Sequence, residues 1–193
     1  MEIWRVSRKI GLIAEDTSDI QVVDAILSKY MKQNEYKIKK FVGNGCGKLR
    51  QKCSTWAENL FRQGCEHVFV FHDLDKNNEG SLRALLEKKI PKKMFPDSLI
   101  VIPIEEMEAW LLSDSNALKA TFNLKKKPKH ISNCEEIKSP KEYLSKLIWS
   151  IGKKRYLNTA HNKKIAENTT LDSLRRCDSF LPLDEYIQEN ICI

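Results

Sequence analysis

Short apolar runs that each end on carboxylates limit what this chain can fold into more than any other feature. Residues 10–14 lead to Glu15, residues 68–71 to Asp73 and Asp75, and residues 99–104 to Glu105, Glu106 and Glu108. Brief runs rich in Val, Ile and Phe read as strands buried on both faces, the character of a parallel sheet covered by helices. After the first run, Ile20, Val23, Ile26, Leu27 and Tyr30 fall at helical spacing. Residues 36–42 supply a further, alternating strand ahead of a glycine-rich loop at 43–48, and residues 49–63 read as a helix stopped near Gly64. Strand and helix thus alternate up to about Ser113, the order of an α/β unit with parallel strands. Such sheets bind ligands outside the carboxyl ends of their strands, and all three acidic groups fall there.

The local spacing sharpens this. Glu15 sits at a strand-to-helix turn, with Asp19 in the first helical turn, where Thr17 or Ser18 would cap and a carboxylate suits the dipole. If the backbone stays extended past Phe71, Asp73 and Asp75 point to one face and Leu74 to the other. On a helix starting near Pro103, Glu105 and Glu108 share a face and Glu106 turns away. Irregular backbone at a helix start brings any of the three inward, so spacing does not rank them. Carboxylates this close repel one another and resist ionisation unless a cation sits between them. Oxygen-rich sites favour Mg²⁺ or Mn²⁺, which points to phosphate chemistry.

A strand ending in Glu, a helix, a later apolar strand ending in Asp-x-Asp and an acidic position after the next strand together resemble a TOPRIM domain, a metal-binding Rossmannoid α/β module of topoisomerases, primases and nucleases. The run Met107-Glu108-Ala109-Trp110-Leu111-Leu112-Ser113-Asp114 and the late Arg176-Cys177-Asp178-Ser179-Phe180 resemble the small stand-alone OLD-like TOPRIM proteins, over nearly the whole chain. The resemblance implies that Glu15 is the TOPRIM glutamate, acting as general acid or base or as a ligand, and that Asp73 and Asp75 bind metal. It further implies that Asp19 matches an acidic position used for an additional metal, and Glu106 or Glu108 the acidic position after the third strand. Asp16 stands where many relatives carry Gly. OLD-like nuclease domains are commonly coupled to an ABC-type ATPase and serve in anti-phage defence, so a separate ATPase subunit is an implied partner.

Composition sets the remaining bounds. The chain has 193 residues, 41% hydrophobic and 31% charged, enough for a sizeable core. No apolar segment approaches the roughly 20 residues that span a bilayer, and the start, with Glu2, Trp4, Arg5 and Arg8, lacks the apolar core of a secretory signal. A cytoplasmic protein without membrane contact is expected, and a homo-oligomer is left open. Cys46, Cys53, Cys65, Cys134, Cys177 and Cys192 show no zinc-ligand spacing and read as reduced thiols. Net charge is +7, but residues 119–164 hold 13 Lys or Arg against 3 Glu, so the rest of the chain is slightly acidic. The basic segment would hold a polyanion while metals neutralise the acidic cleft.

The expected organisation is a TOPRIM-like core at residues 1–115 and a basic, mostly helical extension at 116–193, with helices at 140–151, 165–174 and 184–191. Candidate nucleic-acid contacts are Lys48 in the glycine loop, Lys153, Lys154 and Arg155 beside Tyr156, and His161 with Lys163. The glycine loop is not a P-loop, since Leu49 follows Lys48 where Ser or Thr is needed. A dehalogenase-type phosphatase would want Thr or Val where Asn77 stands. His72, pointing away from Asp73, reads as packed, and Trp110 to Leu112 as core that fixes Glu108. The expected activity is metal-dependent phosphodiester hydrolysis, with Glu15, Asp73 and Asp75 catalytic and one or two ions held by Glu15, Asp19, Asp73, Asp75 and Glu106 or Glu108. Paired ions about 3.5–4 Å apart clamp attacking and leaving oxygens. The competing expectation is a non-catalytic docking or regulatory subunit of an ATPase complex.

Overall fold

A computed structural model describes residues 7–192; the sequence reading made at Glu2, Trp4 and Arg5 lies outside them. Four strands, β1 (Arg8–Ala14), β2 (Tyr36–Val42), β3 (His67–Phe71) and β4 (Ser98–Val101), pair in parallel in the order β2-β1-β3-β4. Helix α1 (Thr17–Leu27) joins β1 to β2, α2 (Cys46–Arg62) joins β2 to β3, and α3 (Glu79–Lys89) joins β3 to β4. The chain steps one way from β1 to β2 and the other way thereafter. With right-handed crossovers, α1 must then cover one face and α2 and α3 the other. The core divides accordingly: Ile10, Leu12, Ala14, Phe69 and Phe71 pack with α1, while Ile13, Val68 and Val70 pack with α2 and α3.

Beyond β4 the chain forms α4 (Glu108–Leu112), α5 (Ser115–Thr121), α6 (Pro140–Gly152), α7 (Asn158–Asn168), α8 (Leu171–Leu174) and α9 (Leu181–Asn190). These helices complete the α1 face: Leu144, Ile148, Ile165, Leu174, Phe180 and Ile187 belong to the same buried cluster as β1 and α1. Helix α7 runs against α1, and Tyr186 of α9 sets its ring edge-on to Phe69 at 5.4 Å. Trp110, Leu111 and Leu112 are buried core as expected. All six cysteines are free thiols. Among the described residues no helix is long and apolar enough to cross a membrane.

Several local expectations are corrected. The fourth strand ends at Val101, and the following helix begins at Glu108, not near Pro103. Glu105 between them takes a left-handed backbone, φ 59°, which no helix start accommodates. The extended run through Asp73 and Asp75 also fails, because β3 stops at Phe71 and Asp75 has φ 48°. The helix expected over 165–174 is two helices: α7 starts earlier, at Asn158, and breaks at Thr169, after which Thr170 caps α8. Helix α5 had no sequence expectation. The helix after the glycine loop starts at Cys46 and ends before Gly64, whose φ of 81° makes the left-handed stop.

Gly11 sets how closely α2 approaches β1. A Cβ there would stand 2.9 Å from Leu60 Cδ1, 3.0 Å from Val68 Cγ2 and 3.1 Å from Leu60 Cβ. Gly11→Val should cost about 1–3 kcal/mol of unfolding free energy through overpacking, read by urea denaturation. A neutral result would mean that α2 is not seated as described.

Candidate metal centre

The seam between β1 and β3 is where the chain order reverses, so the helices that follow diverge and leave a crevice at the strand ends. Glu15 follows β1 directly and lines that crevice. Asp16, noted as a departure from the resembled pattern, caps α1: its carboxylate accepts the Ser18 N–H at 2.9 Å, and Asp19 returns the bond by accepting the Asp16 N–H at 2.9 Å. The expected cap by Thr17 or Ser18 is therefore replaced by an Asp-Asp capping box. This box holds Asp19 buried against the cleft.

After β3, His72 is fully buried, and its orientation can be deduced. Arg50 Nε, which can only donate, lies 2.8 Å from His72 Nε2, so that nitrogen is the acceptor and Nδ1 carries the proton. Nδ1–H points to the Asp73 carbonyl oxygen at 2.7 Å. Glu15 Oε1 lies 3.1 Å from the same nitrogen yet has no properly aligned donor, which leaves a buried carboxylate oxygen without a hydrogen bond. Arg50 also donates to Asn77 Oδ1 at 3.1 Å, tying α2 to the loop that presents Asp73 and Asp75. Asp73 Oδ1 accepts the Met107 N–H at 3.1 Å, while Asp75 is exposed beside the cleft.

The loops after β3 and β4 are zipped together: the Leu74 N–H donates to Pro103 O and the Asp75 N–H to Glu105 O, both at 2.9 Å. Asp75 and Glu105 are left-handed, as is Asn44 in the loop after β2. Non-glycine residues in this region carry strain on the order of 1 kcal/mol each and tend to mark functional loops. The turn brings Glu106 and Glu108 to the cleft in place of Glu105. Glu106 Oε2 accepts the Lys141 N–H at 2.8 Å and so caps α6, whose Ser139 provides no side-chain cap. Glu108 is buried and accepts from Asn162 Nδ2 at 3.1 Å, with the Tyr156 hydroxyl 3.1 Å from the same oxygen.

The cleft holds about 250 Å³ and is walled by Glu15, Asp16, Asp19, Asp73, Glu106, Glu108, Asn44, Lys141 and Asn158, among others. Burial first, then the Asp75 charge, pushes Glu15 up to about 7. Burial also raises Asp19 to about 7, with Glu108 adding repulsion, although the Asp16 N–H opposes the shift. Asp73 is raised well above the ordinary carboxylate range by burial and then by its acidic neighbours. All donors are oxygens, and the orphaned Glu15 Oε1 lacks a partner a cation could be, so the residues fit a hard divalent ion by chemistry. Among the described residues, however, no three Asp, Glu, His or Cys side chains stand together as a ready-made ligand set.

The remaining sequence candidates lie elsewhere. Lys48 is exposed in the first turn of α2, and Lys153, Lys154 and Arg155 are exposed in the turn after α6. Tyr156, expected as a surface aromatic beside them, is instead buried against Glu108. His161 is half-buried, stacked on Phe122 at 4.8 Å, and accepts the Leu157 N–H at 3.0 Å; Lys163 sits 3.8 Å from Glu167. Arg50, Lys141, Asn158 and Asn162 were not anticipated as site residues. Only Asn162 carried a sequence signal, a polar residue on the stripe it shares with Ile165 and Ala166.

Because Glu15 and Asp19 keep protons in the fold that the unfolded chain releases near pH 4, their contribution to stability should be full at about pH 4 and be lost as pH rises to about 7, with Asp73 acting in the same direction. Asp19→Asn retains an oxygen to accept the Asp16 N–H but removes the charge. Its stabilisation should be near zero at pH 4 and grow to on the order of 2 kcal/mol by pH 8 in denaturant titrations. A gain independent of pH would rule out the buried charge as its source.

The model of the family described as Domain of unknown function (DUF4276) matches residues 14–186, from the last residue of β1 into α9. No curated protein matches the chain, and no solved structure does. With its match running over most of the sequence, through both the sheet and the helices that complete it, the chain belongs to the DUF4276 family.

Proposed function

We propose that this protein is a Mg²⁺- or Mn²⁺-dependent endonuclease that hydrolyses DNA or RNA phosphodiesters on a TOPRIM-like core. The observation that carries the reading is the gathering of Glu15, Asp19, Asp73, Glu106 and Glu108 on one cleft at the carboxyl edge of a parallel sheet. Buried carboxylates that repel one another are costly unless a cation or a proton relieves them. One or two ions held by Glu15, Asp19, Asp73, Asp75 and Glu106 or Glu108 would supply Lewis acidity at the phosphate and lower the pKa of bound water.

The chain's own groups would do the rest. Glu15, directly after β1 on the cleft wall, would either hold an ion or, where it does not, exchange a proton with the attacking water. Beside it the buried His72, which Arg50 locks in one tautomer, holds the Asp73 carbonyl oxygen and so fixes the start of the loop that presents Asp73 and Asp75. Lys141 on the rim and the basic segment 119–164 draw a polyanion towards an otherwise acidic cleft. By resemblance to OLD-like proteins, an ATPase subunit is the proposed partner and the cytoplasm the proposed location. A non-catalytic docking subunit is the second reading, favoured by the hydrogen bonds that already engage Glu106 and Glu108.

Electron paramagnetic resonance titration with Mn²⁺ separates the two. Asp73→Asn with Asp75→Asn keeps the acceptor for the Met107 N–H and a residue type that tolerates the left-handed backbone at position 75. The double variant should fold, lose Mn²⁺ affinity by more than about 100-fold and lose any Mn²⁺-dependent cleavage, since removing groups that merely orient ligands already costs about 10–100-fold. Absence of specific Mn²⁺ binding by the natural protein would favour the docking subunit.

A further inference from the structure

We propose that the outer face of α6 is a stacking surface for single-stranded nucleic acid, with Trp149 as its main base-stacking residue. The choice of ligand rests on the reading of the acidic cleft as a nuclease site. The surface itself rests on separate observations. Trp149 is 56% exposed and Tyr143 is 40% exposed, both on one helix. At 3.6 residues per turn, Trp149, Lys153, Lys146, Ser150 and Tyr143 span an arc of roughly 120°, opposite the buried Leu144 and Ile148. An arc that pairs two partly exposed aromatic rings with two lysines has the composition that binds single strands, whose bases offer π-faces and whose backbone offers charge.

The charges on this face are arranged for an anion. Lys153, in a left-handed turn at the end of α6, holds its ammonium 5.8 Å from the Trp149 ring centroid, and Lys154 and Arg155 follow it into solvent. The one carboxylate on the arc, Glu142, already faces Lys146 at 3.5 Å. A duplex would not offer its bases to Trp149, because they are stacked within the helix, so the exposed ring favours an unpaired strand.

Position links this face to the cleft. Lys141, at the start of α6, lines the acidic cleft and caps onto Glu106, and Asn158, just past the basic turn, lines the same cleft. The segment from 141 to 158 is thus anchored at both ends on the rim. Trp149 lies eight residues beyond Lys141 on the helix, roughly 12 Å along its axis. A strand stacked there reaches the carboxylates within a few nucleotides.

The test is fluorescence anisotropy with a labelled oligothymidylate of about 12 nucleotides, in EDTA so that neither metal nor cleavage contributes. Trp149→Ala should weaken binding about tenfold and Trp149→Phe much less, while Met94→Ala, exposed elsewhere, leaves it unchanged. Lys153→Gln with Lys154→Gln should flatten the salt dependence by a slope of about 1.4. Equal affinity of Trp149→Ala and the natural protein would overturn the proposal, as would duplex DNA bound as tightly as the oligomer in a Trp149-dependent way. A concentration-dependent dimer in sedimentation that Trp149→Ala abolishes would assign the face to a second copy of the chain instead. Asp73→Asn with Asp75→Asn should retain oligomer binding in EDTA, so a failed metal site and a failed stacking surface give different results.

Discussion

Where β1 pairs with β3, the chain passes to opposite faces of the sheet, α1 leaving beyond Ala14 on one side and α3 following Phe71 on the other. Neither helix closes over the seam, and the first residues past each strand open onto a shared crevice. Glu15 is the first residue past β1, and Asp73 the second past β3. The closeness of the seam depends in turn on Gly11, which lets α2 lie against β1, and on α2 delivering Arg50 to His72. Geometry that is ordinary for a doubly wound sheet thus forces carboxylates together at a cost that the rest of the structure has to absorb.

Much of that cost is absorbed by the C-terminal helices. The buried Glu108 is satisfied by Asn162 of α7 and approached by Tyr156, and Glu106 is engaged by the start of α6. The same helices bury Leu144, Ile148 and Ile165 against the β1 and α1 face. The extension is therefore part of the core and of the cleft wall, while its lysines stay on the outside. On the cleft wall, among the described residues, Glu15 Oε1 is buried without a hydrogen-bond partner, a cost these helices do not relieve.

The strands and the first helices were legible because their signals are local. The apolar run at 68–71 has no alternation to lose, and α1 carries its buried residues at helical period. The carboxylates at the strand ends were legible for the same reason, since any parallel strand delivers its next residue to the carboxyl edge. The loop after β4 was not. Whether Glu105, Glu106 or Glu108 turns inward depends on a left-handed residue at 105 and on its carbonyl accepting the Asp75 N–H from another loop. Helix α7 was misplaced because its Asn- and Lys-rich start resembles a loop, and the α1 and α5 surfaces it packs on are not its neighbours in sequence.

Periodicity, apolar runs and charge segregation are properties of neighbouring residues, so the parallel sheet, the acidic edge and the basic extension follow from the order of amino acids alone. Which carboxylates share a cleft, which are tied by hydrogen bonds, and which aromatic is buried follow from pairings such as Glu108 with Asn162 and Arg50 with His72. Those partners lie far apart along the chain. Tyr156 and Trp149 both border the same basic stretch, yet one is sealed against a carboxylate and the other faces water. Burial depends on what folds over a residue, and no local pattern carries that information.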